Sequence, residues 1–145
     1  MCVGFMRRLN TSIVFILALF LMSAFLPKLL DGEAKSRQVL RSVKPNVAYR
    51  LINKEWQHSE VVILDVRTPG EFATGHLENA INIDFHSETF VDELENLDRN
   101  KTYIVYCASG GRSLMALYRM GELGFLRVYD INGGIAAWKK RGLPV

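Results

Sequence analysis

Short apolar runs alternating with helical patterns predict a three-layer α/β domain. Its centre is a mostly parallel sheet of about five strands, with helices on both faces. Three observations carry this. Val61-Val62-Ile63-Leu64 is apolar without a break, as in a strand buried on both faces of a parallel sheet. Tyr103-Ile104-Val105-Tyr106 repeats that character and runs straight into Cys107. Each run is followed by a turn signal and then by a helical pattern rather than by a second strand. An N-terminal signal or anchor segment precedes the domain.

The chain has 145 residues, enough for one domain with its own core. Residues 1–34 read as a signal peptide or membrane anchor, and residues 35–145 as the domain, with its core motifs from about 57 to 145. Arg7 and Arg8 precede an apolar stretch, Ile13 to Leu26, broken by Ser23. Fourteen residues at about 1.5 Å each fall short of a hydrocarbon core of about 30 Å. That length suits a signal peptide, with cleavage after Ala34. The alternative is an uncleaved anchor through residues 13–30. Either reading exports the domain to a periplasmic or other extracytoplasmic side, free or held at the inner membrane. Cleavage would leave Cys107 as the one cysteine, with no partner for an internal disulfide.

The elements follow in order. Lys35 to Val43 is a polar linker ending in a short edge strand around Val39-Leu40. Pro45 opens a helix to about Lys54, with Val47, Ala48, Leu51 and Ile52 inward. The Val61–Leu64 strand ends in Asp65-Val66-Arg67. Pro69 starts a helical turn to Ala73, across which Arg67 and Glu71 stand at pairing distance. Ala80 to Ile83 is a short strand. Ser87 caps a helix from Glu88 to about Leu97, with Phe90, Val91, Leu94 and Leu97 as its stripe. After the Tyr103–Tyr106 strand, a helix runs from Ser113 to Leu123, with Leu114, Leu117, Tyr118 and Gly121 on one face. Arg127 to Ile131 is a strand, and Ile135 to Arg141 a helix stopped by Gly142 and Pro144.

Chemistry concentrates in Cys107-Ala108-Ser109-Gly110-Gly111-Arg112-Ser113. A strand delivers a thiol to its C-terminal edge, and a glycine turn leads at once into a helix N-terminus, where an α/β sheet places its ligands. The first helical amides lack partners within the helix, and the helix end carries about half a positive charge. A thiol held there ionises more readily. Gly110 and Gly111 let successive amides converge on one point, and Arg112 adds a permanent cation with a planar fork. Asp65 reads as an acceptor holding neighbouring loops. His76 has no second ligand at metal spacing, and His58 and His86 read as surface loop residues, so no metal is expected. Trp138 reads as core. The net charge is +3, and the cluster Lys139-Lys140-Arg141 reads as a solvated helix end; no nucleic-acid partner is expected.

Together these motifs resemble the single-domain rhodanese family of sulfurtransferases. The matching residues are Leu64-Asp65-Val66-Arg67-Thr68-Pro69-Gly70-Glu71-Phe72, then Gly75-His76-Leu77 with Ala80 and Asn82. They continue with the Cys107–Ser113 loop, and with Gly133-Gly134-Ile135-Ala136-Ala137-Trp138 and Gly142-Leu143-Pro144-Val145. Ala108 and Asn132 depart from the residues usual at their positions. The resemblance implies that Cys107 attacks the outer sulfur of a donor such as thiosulfate and carries it as a persulfide. The amides of residues 108 to 113 and Arg112 would hold that sulfur, with Asp65, Arg67 and Glu71 in support. The implied partners are a small sulfur donor and a thiophilic acceptor, cyanide or a thiol, including a protein thiol; no cofactor is implied. Three alternatives stay open. The first is a persulfide carrier, the second a non-catalytic sulfur-binding module. The third is a cysteine phosphatase or arsenate reductase, whose loops are one residue longer and whose cysteine usually follows a histidine rather than Tyr106.

Overall fold

The computed structural model describes residues 38–55 and 61–145. The expected signal or anchor at 1–34 and His58 lie outside those residues. Among the described residues, no helix is long and apolar enough to cross a membrane.

Ten elements alternate along the chain. They are β1 (Val39–Val43), α1 (Pro45–Glu55), β2 (Val61–Asp65), α2 (Pro69–Ala73) and β3 (Ile81–Asn82). There follow α3 (Phe90–Glu95), β4 (Thr102–Tyr106), α4 (Gly111–Glu122), β5 (Arg127–Ile131) and α5 (Gly134–Lys140). The strands form one parallel sheet in the order β1-β5-β4-β2-β3. The parallel five-strand expectation holds. β4 is central and buried along its whole length, which is why its sequence shows no polar alternation.

Successive β4 side chains serve opposite layers. Tyr103, Val105 and Cys107 join the core with Ala116, Leu117 and Met120 of α4 and with Phe90 and Leu94 of α3. Ile104 and Tyr106 point the other way, towards Ala48 of α1 and Ile135 and Trp138 of α5. Burying each such large apolar side chain stabilises the fold by about 1.5–3 kcal/mol.

Three local expectations need correction. The helix expected from Glu88 runs only from Phe90 to Glu95, because Ser87 serves a turn instead: its Oγ accepts the Thr89 amide at 3.1 Å, and Thr89 Oγ1 donates to Glu93 at 2.7 Å. The inward face of α4 is Ser113, Ala116, Leu117 and Met120, whereas Leu114 and Tyr118 are exposed. Small residues are needed where α4 crosses the sheet. Even Gly121 is packed so closely that a Cβ there would run into Leu40 of β1. Finally, Arg67 and Glu71 do not pair with each other; each has a different partner.

Candidate active site

The loop after β4 wraps its own cysteine. Gly110 donates its amide to Cys107 Sγ at 3.1 Å, and Ser113 Oγ lies 3.6 Å from the same sulfur. The amides of Ser109 and Ser113 also point to it. Burial pushes the thiol up, the amides of Ser113, Gly110 and Ser109 pull it down, and the thiol ionises below its ordinary range. Gly110 makes the geometry possible with φ +101°, left-handed backbone that other residues seldom adopt. Cys107 is 1% exposed and forms the floor of the loop, while Ser109 and Gly111 are exposed and Ala108, Gly110 and Arg112 half-buried around it.

The loop is held from outside. Ile135 donates its amide to the Cys107 carbonyl at 2.8 Å, and Ala136 to the Ala108 carbonyl at 3.1 Å. With its first carbonyls bound by α5, the loop turns its amides towards sulfur. Gly134 permits that approach: at φ +58°, any Cβ would run into the Cys107 carbonyl and the Ala108 backbone.

Arg112 does not point a free fork at the sulfur. Its Nη1 and Nη2 donate to Glu71 Oε2 and Oε1, each at 2.7 Å. Glu71 is fixed in turn by a capping box, accepting from Thr68 N at 3.0 Å and Thr68 Oγ1 at 3.1 Å. The Arg112 guanidinium draws the Glu71 carboxyl down to about 2, against burial and with help from Thr68. Arg112 is raised, first by Glu71 and further by the charge of Cys107.

Arg67 takes the partner that sequence spacing hid. Its amide donates to Asp65 Oδ1 at 2.9 Å, its Nε to both oxygens at 3.0 Å, and its Nη2 to Oδ2 at 2.7 Å. The pair is buried, with Asp65 at 0% and Arg67 at 5% exposure. Arg67 Nη2 also donates to the Gly75 carbonyl at 2.8 Å, and Asn82 Nδ2 donates to the carbonyls of Asp65 and Arg67 at 2.9 and 2.8 Å. Asp65 and Arg67 therefore tie the β2–α2 turn to the loop after α2, and neither hydrogen-bonds to the sulfur. Tyr106 Oη accepts the Leu77 amide at 3.0 Å beneath this network.

His76 stacks on Phe72 at 3.8 Å between ring centroids, so its role is packing. Trp138 is core, its Nε1 donating to the Pro144 carbonyl at 2.7 Å. A cavity of about 330 Å³ borders Tyr49, Ile63, Leu77 and Trp138 and includes no residue of the thiol loop.

Sequence reasoning missed Asp130 and Ser42. Asp130 Oδ1 accepts the Ser113 hydroxyl at 2.6 Å, and Oδ2 accepts the Ser42 hydroxyl at 2.7 Å. The available signal was a lone acidic residue on the Val128 face of a buried strand, where an apolar side chain belongs.

Residues 44–141 match the Rhodanese-like domain family. This chain belongs to the rhodanese-like domain family. Among its relatives, the thiosulfate sulfurtransferase 16 of Arabidopsis thaliana chloroplasts is 36% identical over 121 residues, covering 77% of this chain and 97% of that protein. A sulfurtransferase of Allochromatium vinosum is 33% identical over 86 residues, 59% of this chain and 78% of the relative. Among solved structures, a rhodanese-related protein from Thermoplasma volcanium has a TM-score of 0.60 at 33% identity, covering 72% of this chain and 95% of its own. The rhodanese-like domain of an Anabaena protein gives 0.60 at 30% identity, covering 71% and 76%.

Proposed function

We propose that this rhodanese-like chain is a sulfurtransferase that moves sulfane sulfur as a persulfide on Cys107. The observation that carries the reading is the convergence of the Ser109, Gly110 and Ser113 amides on one sulfur, with Gly110 at 3.1 Å. The sulfurtransferase relatives support the same chemistry in broad terms. In the first half-reaction the Cys107 thiolate attacks the outer sulfur of thiosulfate or a similar donor. One S–S bond forms, the donor's S–S bond breaks, and sulfite leaves with the bonding pair. No proton is needed, in keeping with the lack of a general acid hydrogen-bonded to Sγ among the described residues. The terminal persulfide anion then lies where the loop amides stabilise negative charge. A thiophilic acceptor such as cyanide takes that sulfur and returns the thiolate.

Exposed Met115 and Tyr118, on the helix that follows the loop, favour a second reading in which the acceptor is a protein thiol and the chain acts as a carrier. The reading of residues 1–34 as a signal or anchor adds an extracytoplasmic setting, tested by fractionating cells that express the full chain.

The deciding experiment treats the full chain with thiosulfate and examines it by mass spectrometry. One added sulfur on Cys107, and thiocyanate formation on adding cyanide, are expected for the wild type and neither for Cys107→Ser. Loss of activity without any sulfur on Cys107 of the wild type would overturn the scheme. Hydrolysis of an aryl phosphate that vanishes in Cys107→Ser would replace it with phosphatase chemistry.

A further inference from the structure

The Ser113 hydroxyl has one proton and three acceptors within reach. They are Asp130 Oδ1 at 2.6 Å, the Gly110 carbonyl at 3.3 Å and Cys107 Sγ at 3.6 Å. The first has the length of a charge-assisted O–H···O⁻ bond, the strongest of the three. Its proton therefore belongs to Asp130, and a lone pair of Ser113 Oγ is turned towards the sulfur. Asp130 is 2% exposed, and both its oxygens are bound: Ser113 comes from α4 and Ser42 from the neighbouring strand β1. Among the described residues, no cation makes an ion pair with it. A buried carboxylate thus stands one hydroxyl behind the reactive sulfur, and the sulfur-transfer steps above do not use it.

We propose that Asp130 is a positioning residue for Cys107: it holds the Ser113 proton off the sulfur, leaving the backbone amides to carry the thiolate's charge. This rests on the sulfurtransferase reading only for its purpose, not for its geometry. A thiolate relieved of one hydrogen bond is a stronger nucleophile, and a thiol is most effective when it titrates near ambient pH rather than far below it. The amides and the start of α4 draw the thiol down; the Asp130 charge limits how far. The other charged groups around the unit are Arg112 of α4, already closed on Glu71 of α2, and the Asp65–Arg67 pair at the end of β2. The segment of α5 facing the loop, Gly133 to Ile135, carries no charge.

The test is the pH dependence of iodoacetamide alkylation of the full chain in a Cys2→Ser background, where Cys107 is the remaining thiol. Asp130→Asn keeps the shape and removes the charge. It is expected to move the alkylation midpoint down by about one pH unit and to slow the fully ionised thiolate several-fold. Ser113→Ala is expected to leave the midpoint nearly where it was, because the proton it removes is not on sulfur. A midpoint that stays put or rises in folded Asp130→Asn overturns the proposal. So does a rise of about one unit in Ser113→Ala, which would show the hydroxyl donating to sulfur. Should Asp130→Asn fail to fold, the Ser113→Ala midpoint decides alone. Sulfur loading by thiosulfate is read on the same samples. Loading without the Asp130→Asn shift sinks this proposal and spares the sulfurtransferase reading, whereas the shift without loading does the reverse.

Discussion

Glu71 closes both ends of the Arg112 guanidinium at 2.7 Å, so the loop's permanent cation is matched by a carboxylate before any donor arrives. Under the proposed reaction an anionic donor would meet the loop amides beside an ion pair that is already neutralised.

Glu71→Gln removes that opposing charge while keeping an amide that can still face Arg112. The expected outcome is a KM for thiosulfate lowered several-fold with little change in kcat, since uniform binding is what changes. The pair is partly exposed, at 21% for Arg112 and 35% for Glu71, so the loss of stability should stay below about 1 kcal/mol. Steady-state kinetics and thermal melts of the two proteins check both statements. A raised KM would show that Glu71 positions Arg112 rather than neutralising it.

The same carboxylate makes stability depend on acid. Its folded value, about 2, lies below the ordinary 4.5, so the folded state favours the ionised form. That contribution is fully present above about 4.5 and is lost as pH falls through about 2. The stability gap between wild type and Glu71→Gln should therefore be flat at neutral pH and shrink between those two values. Urea titrations at stepped pH measure it.

Removing the Asp65 carboxylate leaves the Arg67 cation buried without its partner. Breaking one side of such a pair costs about 3–5 kcal/mol. Asp65→Ala should therefore lower the urea midpoint far more than Glu71→Gln does. Truncating both in Asp65→Ala/Arg67→Ala should recover part of the loss, which a double-mutant cycle would read directly.

Gly134→Ala sets a methyl group against the Cys107 carbonyl on a backbone at φ +58°. The strained dihedral alone costs about 1–2 kcal/mol. The clash adds displacement of the loop, and misplacing a reacting group by about 1 Å can cost about 100-fold in rate. The expected result is a modest drop in melting temperature with a much larger loss of sulfur loading on Cys107. Equal losses of both would mean that the turn serves only the fold.

The architecture was legible because the strands that matter are apolar throughout. Val61–Leu64 and Tyr103–Tyr106 have no polar face to misread, and Pro69 and Gly110 mark the turns that follow them. The position of the thiol between a strand end and a helix start could be read the same way. Side-chain partnerships could not. Arg67 and Glu71 look like a pair because they are four apart, but the chain folds Arg67 back onto Asp65 two residues away and sends Glu71 across to Arg112. The facing of α4 was ambiguous because Leu114 and Tyr118 offered a second apolar stripe, and only the close crossing at Gly121 decides between them. The partnership of Asp130 could not be read, because Ser42 and Ser113 come from distant stretches that meet only in the fold.

The amide bonds from Ile135 and Ala136 to the carbonyls of Cys107 and Ala108 separate two duties within the loop. Its curvature is imposed by a clasp near the chain's end, so the side chains at 108 and 109 need not hold the backbone in shape. Those two positions are free to vary with the molecule being served while the reactive atom keeps its cradle, and redesign of substrate preference can begin there without rebuilding the reaction.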